Sequence, residues 1–153
     1  MRGPNVLKGY WNNPEKTAAS FRADGFFITG DLAQRDKDGY VVIVGRASDM
    51  IISGGYNVYP KEIETVIDEL SGIGESAVIG VPHPDFGEGV VAVIRTLPGQ
   101  EHPSEADIVA TLKGQLAGYK VPKKLVFVED LPRNAMGKVV KAELRKANAK
   151  LFQ

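Results

Sequence analysis

Gly45 to Glu64 reads G-R-A-S-D-M-I-I-S-G-G-Y-N-V-Y-P-K-E-I-E, and this run decides how the chain is divided. It follows an apolar strand, Tyr40 to Val44, and crosses a short polar break, Arg46 to Asp49. It then turns a hairpin around Gly54-Gly55 and enters a helix at Pro60. Ile63, Val66, Ile67 and Leu70 recur at helical spacing, which gives that helix one apolar face. Proline suits the first helical position because an N–H there would have no intrahelical partner, and Glu62 and Glu64 complement the positive end of the helix dipole. The polar break lies between two structured blocks and reads as a domain junction, with residues 1–46 before it and 47–153 after it.

The bulk properties exclude several function classes. The 153 residues suit one domain, or one small domain and a piece of another. Formal net charge is zero, so nothing draws the whole chain to nucleic acid or to an anionic membrane. The absence of cysteine removes disulfides, thiolate metal sites and a cysteine nucleophile. His83 and His102 are too few and too scattered for a zinc site, so no metal ligand is assigned. No run is long and apolar enough for a membrane-spanning helix. The opening M-R-G-P-N-V has no signal-peptide pattern. A cytoplasmic location is the expectation, or an organelle if a targeting signal lies upstream.

Before the junction, Asn13-Pro14-Glu15 predicts a helix start, with the helix reaching about Phe21. Phe26–Ala33 and Tyr40–Val44 read as strands joined by the turn signal D-K-D-G at Asp36–Gly39. That turn lacks the third acid and the distal glutamate of a calcium loop. A helix and one hairpin cannot cover their own apolar residues, since a two-stranded sheet is marginal alone. Trp11, Phe21, Phe26 and Phe27 therefore predict a face that needs a partner.

After the junction the chain looks more self-sufficient. Ser76–Val81 and Val90–Leu97 are nearly continuous apolar runs, as in strands covered on both faces, with residues 82–89 as the loop between them. Ser104-x-x-Asp107 caps a helix whose buried face is Ile108, Val109, Leu112 and Leu116, ending at Gly118. Leu125–Val128 is a third strand, and Val140, Leu144, Ala147 and Leu151 mark a last amphipathic helix. The predicted class is α+β: a small C-terminal domain with a central three-stranded sheet flanked by helices, plus a short β-hairpin. A helix and hairpin from the end of a larger domain precede it.

Gly137-Lys138 sits in a loop ahead of a helix, but Pro132 and Val139 stand where a Walker loop needs Gly and Ser/Thr. A loop lysine can still meet a phosphoryl or carboxylate oxygen, although a solvated surface lysine is the commoner case. Gly54-Gly55 needs no explanation beyond a tight turn, and it also suits close approach of a ligand to the backbone. Asp31, expected at a strand end, has the chemistry to accept from ribose hydroxyls, and Arg46 to bind the same nucleotide; standing alone, each would be an exposed turn charge. The basic last third has no interleaved aromatic residues, so a stacking surface for single-stranded nucleic acid is not indicated.

Taken together, these stretches resemble the C-terminal part of the adenylate-forming enzymes: acyl-CoA synthetases, adenylation domains of nonribosomal peptide synthetases, and luciferases. Thr29-Gly30-Asp31 resembles the family's T-G-D motif. Gly45-Arg46 with Ser53–Asn57 and Pro60–Glu64 resembles its hinge and glycine loop. Tyr119-Lys120-Val121-Pro122 and Pro132–Lys138 resemble the last two motifs. Within the family, N-V-L-K-G-Y-W, V-P-H-P-D-F-G-E and D-L-P-R-N-A-M-G-K are most similar to malonyl-CoA synthetases.

The resemblance implies an ATP-dependent acid–thiol ligase that makes acyl-AMP from a small carboxylic acid such as malonate and then the CoA thioester. Its small domain would rotate between the two steps. It implies Lys138 as the catalytic lysine, Asp31 and Arg46 as nucleotide-binding residues, and Gly54 and Gly55 on the path of the CoA pantetheine. ATP, CoA and Mg2+ are the implied cofactors, the metal held mainly by an N-terminal domain that would also be the principal partner. The hinge departs from the pattern: the usual Asp or Lys pivot is Ser48 here, followed by Asp49. Residues 1–46 are expected to be the tail of the large AMP-binding domain, and this stretch alone is expected to be inactive. Two other readings compete: a non-enzymatic protein-interaction module, and an adenylation domain serving a carrier protein.

Overall fold

The computed structural model describes all 153 residues. The first block holds helix α1 (Pro14–Ala19) and strands β1 (Asp31–Arg35) and β2 (Val41–Arg46), paired antiparallel. Asn13 caps α1 as expected, its Oδ1 accepting from the Lys16 N–H. The Asp36–Gly39 turn closes the hairpin, and Asp36 Oδ1 accepts from the N–H groups of Asp38 and Tyr40.

Strand boundaries differ from the sequence reading: β2 runs on through Arg46, which that reading puts in the polar break, because Arg46 pairs with Asp31. Asp31 opens β1; it does not end a strand begun at Phe26. Gly30 has φ +75°, a left-handed conformation that breaks an extended run, and Thr29 Oγ1 folds back to accept from the Asp31 N–H. Phe21 and Phe27 pack edge to face, with ring centroids 5.4 Å apart. Much of this block's other apolar surface is open. Trp11 is 98% exposed, and Tyr40, Val41, Val42 and Ile43 are all more than half exposed.

After a 3-10 turn at Ala47–Asp49 come β3 (Ile51–Ser53), β4 (Tyr56–Val58) and α2 (Pro60–Asp68). Then follow β5 (Ile73–His83), β6 (Gly87–Thr96), α3 (Glu105–Gln115), β7 (Lys124–Val128) and α4 (Lys141–Ala147). The expected three-stranded sheet is β5–β6–β7, with β5 and β6 antiparallel and β6 and β7 parallel. The β3–β4 hairpin joins the same sheet through Ser53 opposite Gly87. Because β5 lines one edge of β6 for its whole length, β3 and β7 share the other edge.

The stretch 82–89, read as a loop, is mostly strand. Pro82 pairs with Glu88 and His83 with Gly87, leaving three residues for the turn. Proline lacks an N–H but does not block pairing where that position needs no donor. The helix expected to stop at Gly118 stops at Gln115, since Leu116 is already extended; Gly118 opens a separate 3-10 turn.

Both faces of the sheet are covered, as the unbroken apolar runs require. On one face Val78, Val90, Ala92 and Ile94 pack under Ile63 and Ile67 of α2 and Ile108 and Leu112 of α3. On the other, Ile79, Val81, Val91 and Val93 pack under Leu131 and Leu144. The two sets alternate along the strands, as side chains of a pleated sheet must. Ser104 caps α3 through the expected box, its Oγ accepting from the Asp107 N–H at 3.2 Å while Asp107 Oδ2 accepts from the Ser104 N–H at 3.3 Å. Ser104→Ala should destabilise the chain by about 1 kcal/mol, read as a lower urea midpoint at unchanged slope.

Candidate functional site

The sequence separates Asp31 from Arg46, and the β1–β2 register places them opposite one another. Arg46 Nε lies 3.1 Å from Asp31 Oδ1, and Arg46 Nη1 donates to the Thr29 carbonyl at 2.7 Å. The guanidinium is therefore held from two sides, with the Asp31 carboxylate turned toward a cleft of about 260 Å³. The cleft's other walls are Pro60, Lys61 and Glu64 of α2, Asp49 of the junction, and Lys141.

A second, larger cleft of about 750 Å³ shares Lys61, Glu64 and Lys141 with the first and runs on to Arg133 and Lys138. The two clefts form one charged trough, with the Asp31–Arg46 pair at one end and Lys138 at the other. Lys138 stands on a small turn in which Arg133 bridges to Val139 and the Asn134 N–H donates to the Lys138 carbonyl. Asn134 Oδ1 accepts from the N–H groups of Met136 and Lys138, both at 3.0 Å. Gly137 supplies the required positive φ of +76°. The Lys138 ammonium has no ion-pair partner, whereas Lys141 in the same trough is bound to Glu64.

Gly54 and Gly55 lie elsewhere. They form the β3–β4 turn with φ +58° and +83°, and the Gly54 N–H donates to the Phe86 carbonyl at the β5–β6 turn. A Cβ on Gly54 would stand 3.1 Å from the Phe86 ring, whereas one on Gly55 would meet nothing within 4 Å. Tyr56 and Tyr119 stack beside this turn at 4.6 Å. Glu75, at the lysine turn, and His83, at the glycine turn, are both on β5 and separated by roughly 25 Å of strand rise. The lysine and the glycine turn thus occupy opposite ends of the domain. Between the blocks, Ser48 is exposed, and Asp49 Oδ1 is 3.1 Å from Arg145 Nη2 of α4.

Sequence reasoning missed the centre of the trough. Glu64 is 7% exposed and accepts from the Val78 N–H at 2.9 Å and from Lys141 Nζ at 2.6 Å. One carboxylate therefore ties α2, β5 and α4 together. A signal was present: Pro60, Ile63, Glu64 and Ile67 share the buried stripe of α2, and an acid on such a stripe requires a partner. Nothing in the sequence identified Lys141 as that partner. Beside it, Ser76 Oγ donates to Asp68 Oδ1 at 2.7 Å. Burial pushes the Asp68 carboxyl above its ordinary value near 3.8; the hydrogen bonds from Ser76 and the charge of Lys61 pull the other way.

The fold and the trough define a class: a small α+β domain that presents a free lysine and, through a short junction, faces a paired aspartate and arginine. The chain belongs to the AMP-binding enzyme C-terminal domain family, whose profile matches residues 62–138, from the start of α2 to Lys138. It is 57% identical to MatB from Rhodopseudomonas palustris in an ATP-bound crystal structure, with a TM-score of 0.86 over 99% of this chain and 30% of that one. Against apo MatB the identity is 58% and the coverage again 99% and 30%, but the TM-score is 0.74. Two structures of one protein that score so differently against one chain differ from each other in arrangement. The 3-[(3aS,4S,7aS)-7a-methyl-1,5-dioxo-octahydro-1H-inden-4-yl]propanoyl:CoA ligase of Rhodococcus jostii (strain RHA1) is 49% identical over 145 residues, which are 95% of this chain and 28% of the relative. The chain thus spans under a third of the length of the proteins it matches.

Two measurements follow from the buried charges. Lys141→Ala leaves Glu64 buried with one partner instead of two and should cost about 3 kcal/mol, while Glu64→Gln, which can still accept from Val78, should cost less. Asp68 has a raised folded-state value, so its contribution favours folding in acid and is lost as pH rises from the ordinary value through the raised one. Asp68→Asn should therefore gain on the wild type as pH rises through that window, seen as diverging urea midpoints.

Proposed function

We propose that this chain is the C-terminal part of an AMP-forming acyl-CoA ligase, acting with a larger nucleotide-binding domain. Residues 1–46 belong to that larger domain, and 47–153 form the mobile domain. The observation that carries the reading is the trough: it sets an unpaired lysine and a ribose-type Asp–Arg pair on one side of the domain, with the glycine turn at the far end of β5. One side then serves the first half-reaction and the other the second. The different scores against ATP-bound and apo MatB support mobility of this kind in a relative.

In the first step a carboxylate oxygen of the acid attacks the α-phosphorus of ATP. The bond to pyrophosphate breaks and acyl-AMP forms. Asp31 accepts hydrogen bonds from the ribose hydroxyls, and Arg46, anchored by Asp31 and Thr29, keeps that carboxylate in place. Lys138 bridges the acid and α-phosphate oxygens as negative charge redistributes between them. Placed charge of this kind is worth several kcal/mol, about 3–4 for one good donor.

In the second step the domain turns about the Ala47–Asp49 junction. Ser48 supplies no charge at the pivot, and the Asp49–Arg145 pair makes the junction travel with α4. Gly54 and Gly55 then border the pantetheine path, where Gly55 has no side chain to obstruct it. The CoA sulfur attacks the acyl carbon, the carbon–oxygen bond to AMP breaks, and the thiol proton goes to solvent.

Magnesium neutralises the phosphates when ATP is bound. On this reading its ligands belong mainly to the larger domain. Malonate is the acid we propose, on the resemblance to malonyl-CoA synthetases and the likeness to MatB. The Rhodococcus relative is named for a bulky bicyclic propanoate at 49% identity, so this stretch does not by itself select the acid.

The test is to assay the half-reactions separately in the full-length enzyme, wild type and Lys138→Ala, with malonate, methylmalonate and acetate. Lys138→Ala should lose acyl-AMP formation by roughly 100- to 1,000-fold and still convert supplied acyl-AMP and CoA to thioester. Survival of both half-reactions would make Lys138 a surface cation. Failure of the wild type to adenylate any acid would favour an interaction module, and transfer to a carrier protein but not to CoA would replace the acceptor.

A further inference from the structure

We propose that Glu75 and Arg133 form a clamp that sets the position of Lys138, which makes Arg133 a positioning residue for adenylation. The inference rests on the role given to Lys138 above.

The turn that carries Lys138 projects from the domain, and Met136 at its tip is exposed. Its internal hydrogen bonds, from the N–H groups of Met136 and Lys138 to Asn134 Oδ1, fix the shape of the turn. They do not fix how the turn is oriented on the domain. Leu131 before it is buried, and Val139 after it packs on the second core, so the base is anchored. Arg133 reaches between the tip and the sheet. Its Nη1 donates to the Gly137 carbonyl at 2.8 Å, and its Nη2 pairs with Glu75 Oε2. Gly137 immediately precedes Lys138, so the guanidinium grips the backbone next to the reactive side chain.

Glu75 is well placed to receive it. The β5–β6 register slips between Ile73 and Glu75, a bulge that turns the strand locally. Glu75 alternates with Ser76, whose hydroxyl faces Asp68 of α2. The Glu75 side chain therefore emerges on the opposite face, beside Ala77, where Leu131 and Leu144 pack. The clamp thus ties the lysine turn to the longest strand of the sheet.

An ion pair about one-third exposed on both sides adds little to folding stability, so its consequence here is geometric. The choice of arginine follows. Its rigid planar fork serves a carboxylate and a carbonyl at once in fixed directions, whereas the ammonium of lysine is a point charge on a flexible stem. Small errors in the placement of a reacting group are costly, up to roughly 100-fold for about 1 Å.

The experiment uses the full-length enzyme with Glu75→Gln, Arg133→Lys, Arg133→Gln and the Glu75→Gln/Arg133→Gln double variant. Each half-reaction is measured, together with hydrogen exchange at the Gly137 and Lys138 amides. Arg133→Gln should lower acyl-AMP formation by roughly 10- to 100-fold and leave thioester formation from supplied acyl-AMP unchanged. Arg133→Lys should not restore it. The double variant should be no worse than Arg133→Gln, because the two residues act as one unit. The two amides should exchange faster in every variant. Wild-type adenylation with unchanged exchange in Arg133→Gln would overturn the clamp, and so would equal loss of both half-reactions, which would mark a general defect. If Lys138→Ala itself leaves adenylation intact, the functional reading fails, and the exchange rates still decide whether Arg133 holds the turn.

Discussion

The β5–β6 ladder, paired from Ile73 opposite Thr96 to His83 opposite Gly87, is the constraint on which the rest of the domain depends. Both strands are buried on both faces, so every backbone N–H and C=O between them needs a partner within the sheet. That requirement fixes the register, and the register fixes which side chains face α2 and α3 and which face α4. Two of the candidate features are then placed relative to one long strand. The lysine turn is tied to its start and the glycine turn rests on its end.

A second constraint is electrostatic. Glu64 is buried with a backbone N–H and a lysine as its two partners, and those partners come from β5 and α4. A buried carboxylate without them would be expensive, so the contact specifies how α2 and α4 sit on opposite faces of the sheet beside the middle of β5. It also shapes the trough. Lys141 is occupied by Glu64, and Lys138, three residues away, is left free. Which of the two nearby lysines is paired is a matter of which one Glu64 can reach.

The extent to which the chain could be read in advance follows from how local each signal is. The Ser104–Asp107 cap, the Asn13 cap, the Asp36–Gly39 turn and the Gly54-Gly55 turn are each written within a few residues, and the structure shows all four. The continuous apolar runs named β5 and β6 correctly as strands covered on both faces. The boundaries failed where backbone geometry overrode composition. Gly30 broke an apolar strand that began on paper at Phe26, and two prolines disguised a hairpin that pairs through His83 and Gly87.

By itself the sequence carried most of the elements and the family likeness, and it singled out Asp31, Arg46, Gly54, Gly55 and Lys138 as candidate site residues, because those signals lie in residue type and short spacing. Only the tertiary structure decided that Asp31 faces Arg46, that Glu64 takes Lys141 and leaves Lys138 unpaired, and that the lysine and glycine turns stand at opposite ends of β5. These are contacts between residues far apart along the chain. Their formation depends on strand register and on which face of the sheet a helix covers, and neither is encoded in any local stretch.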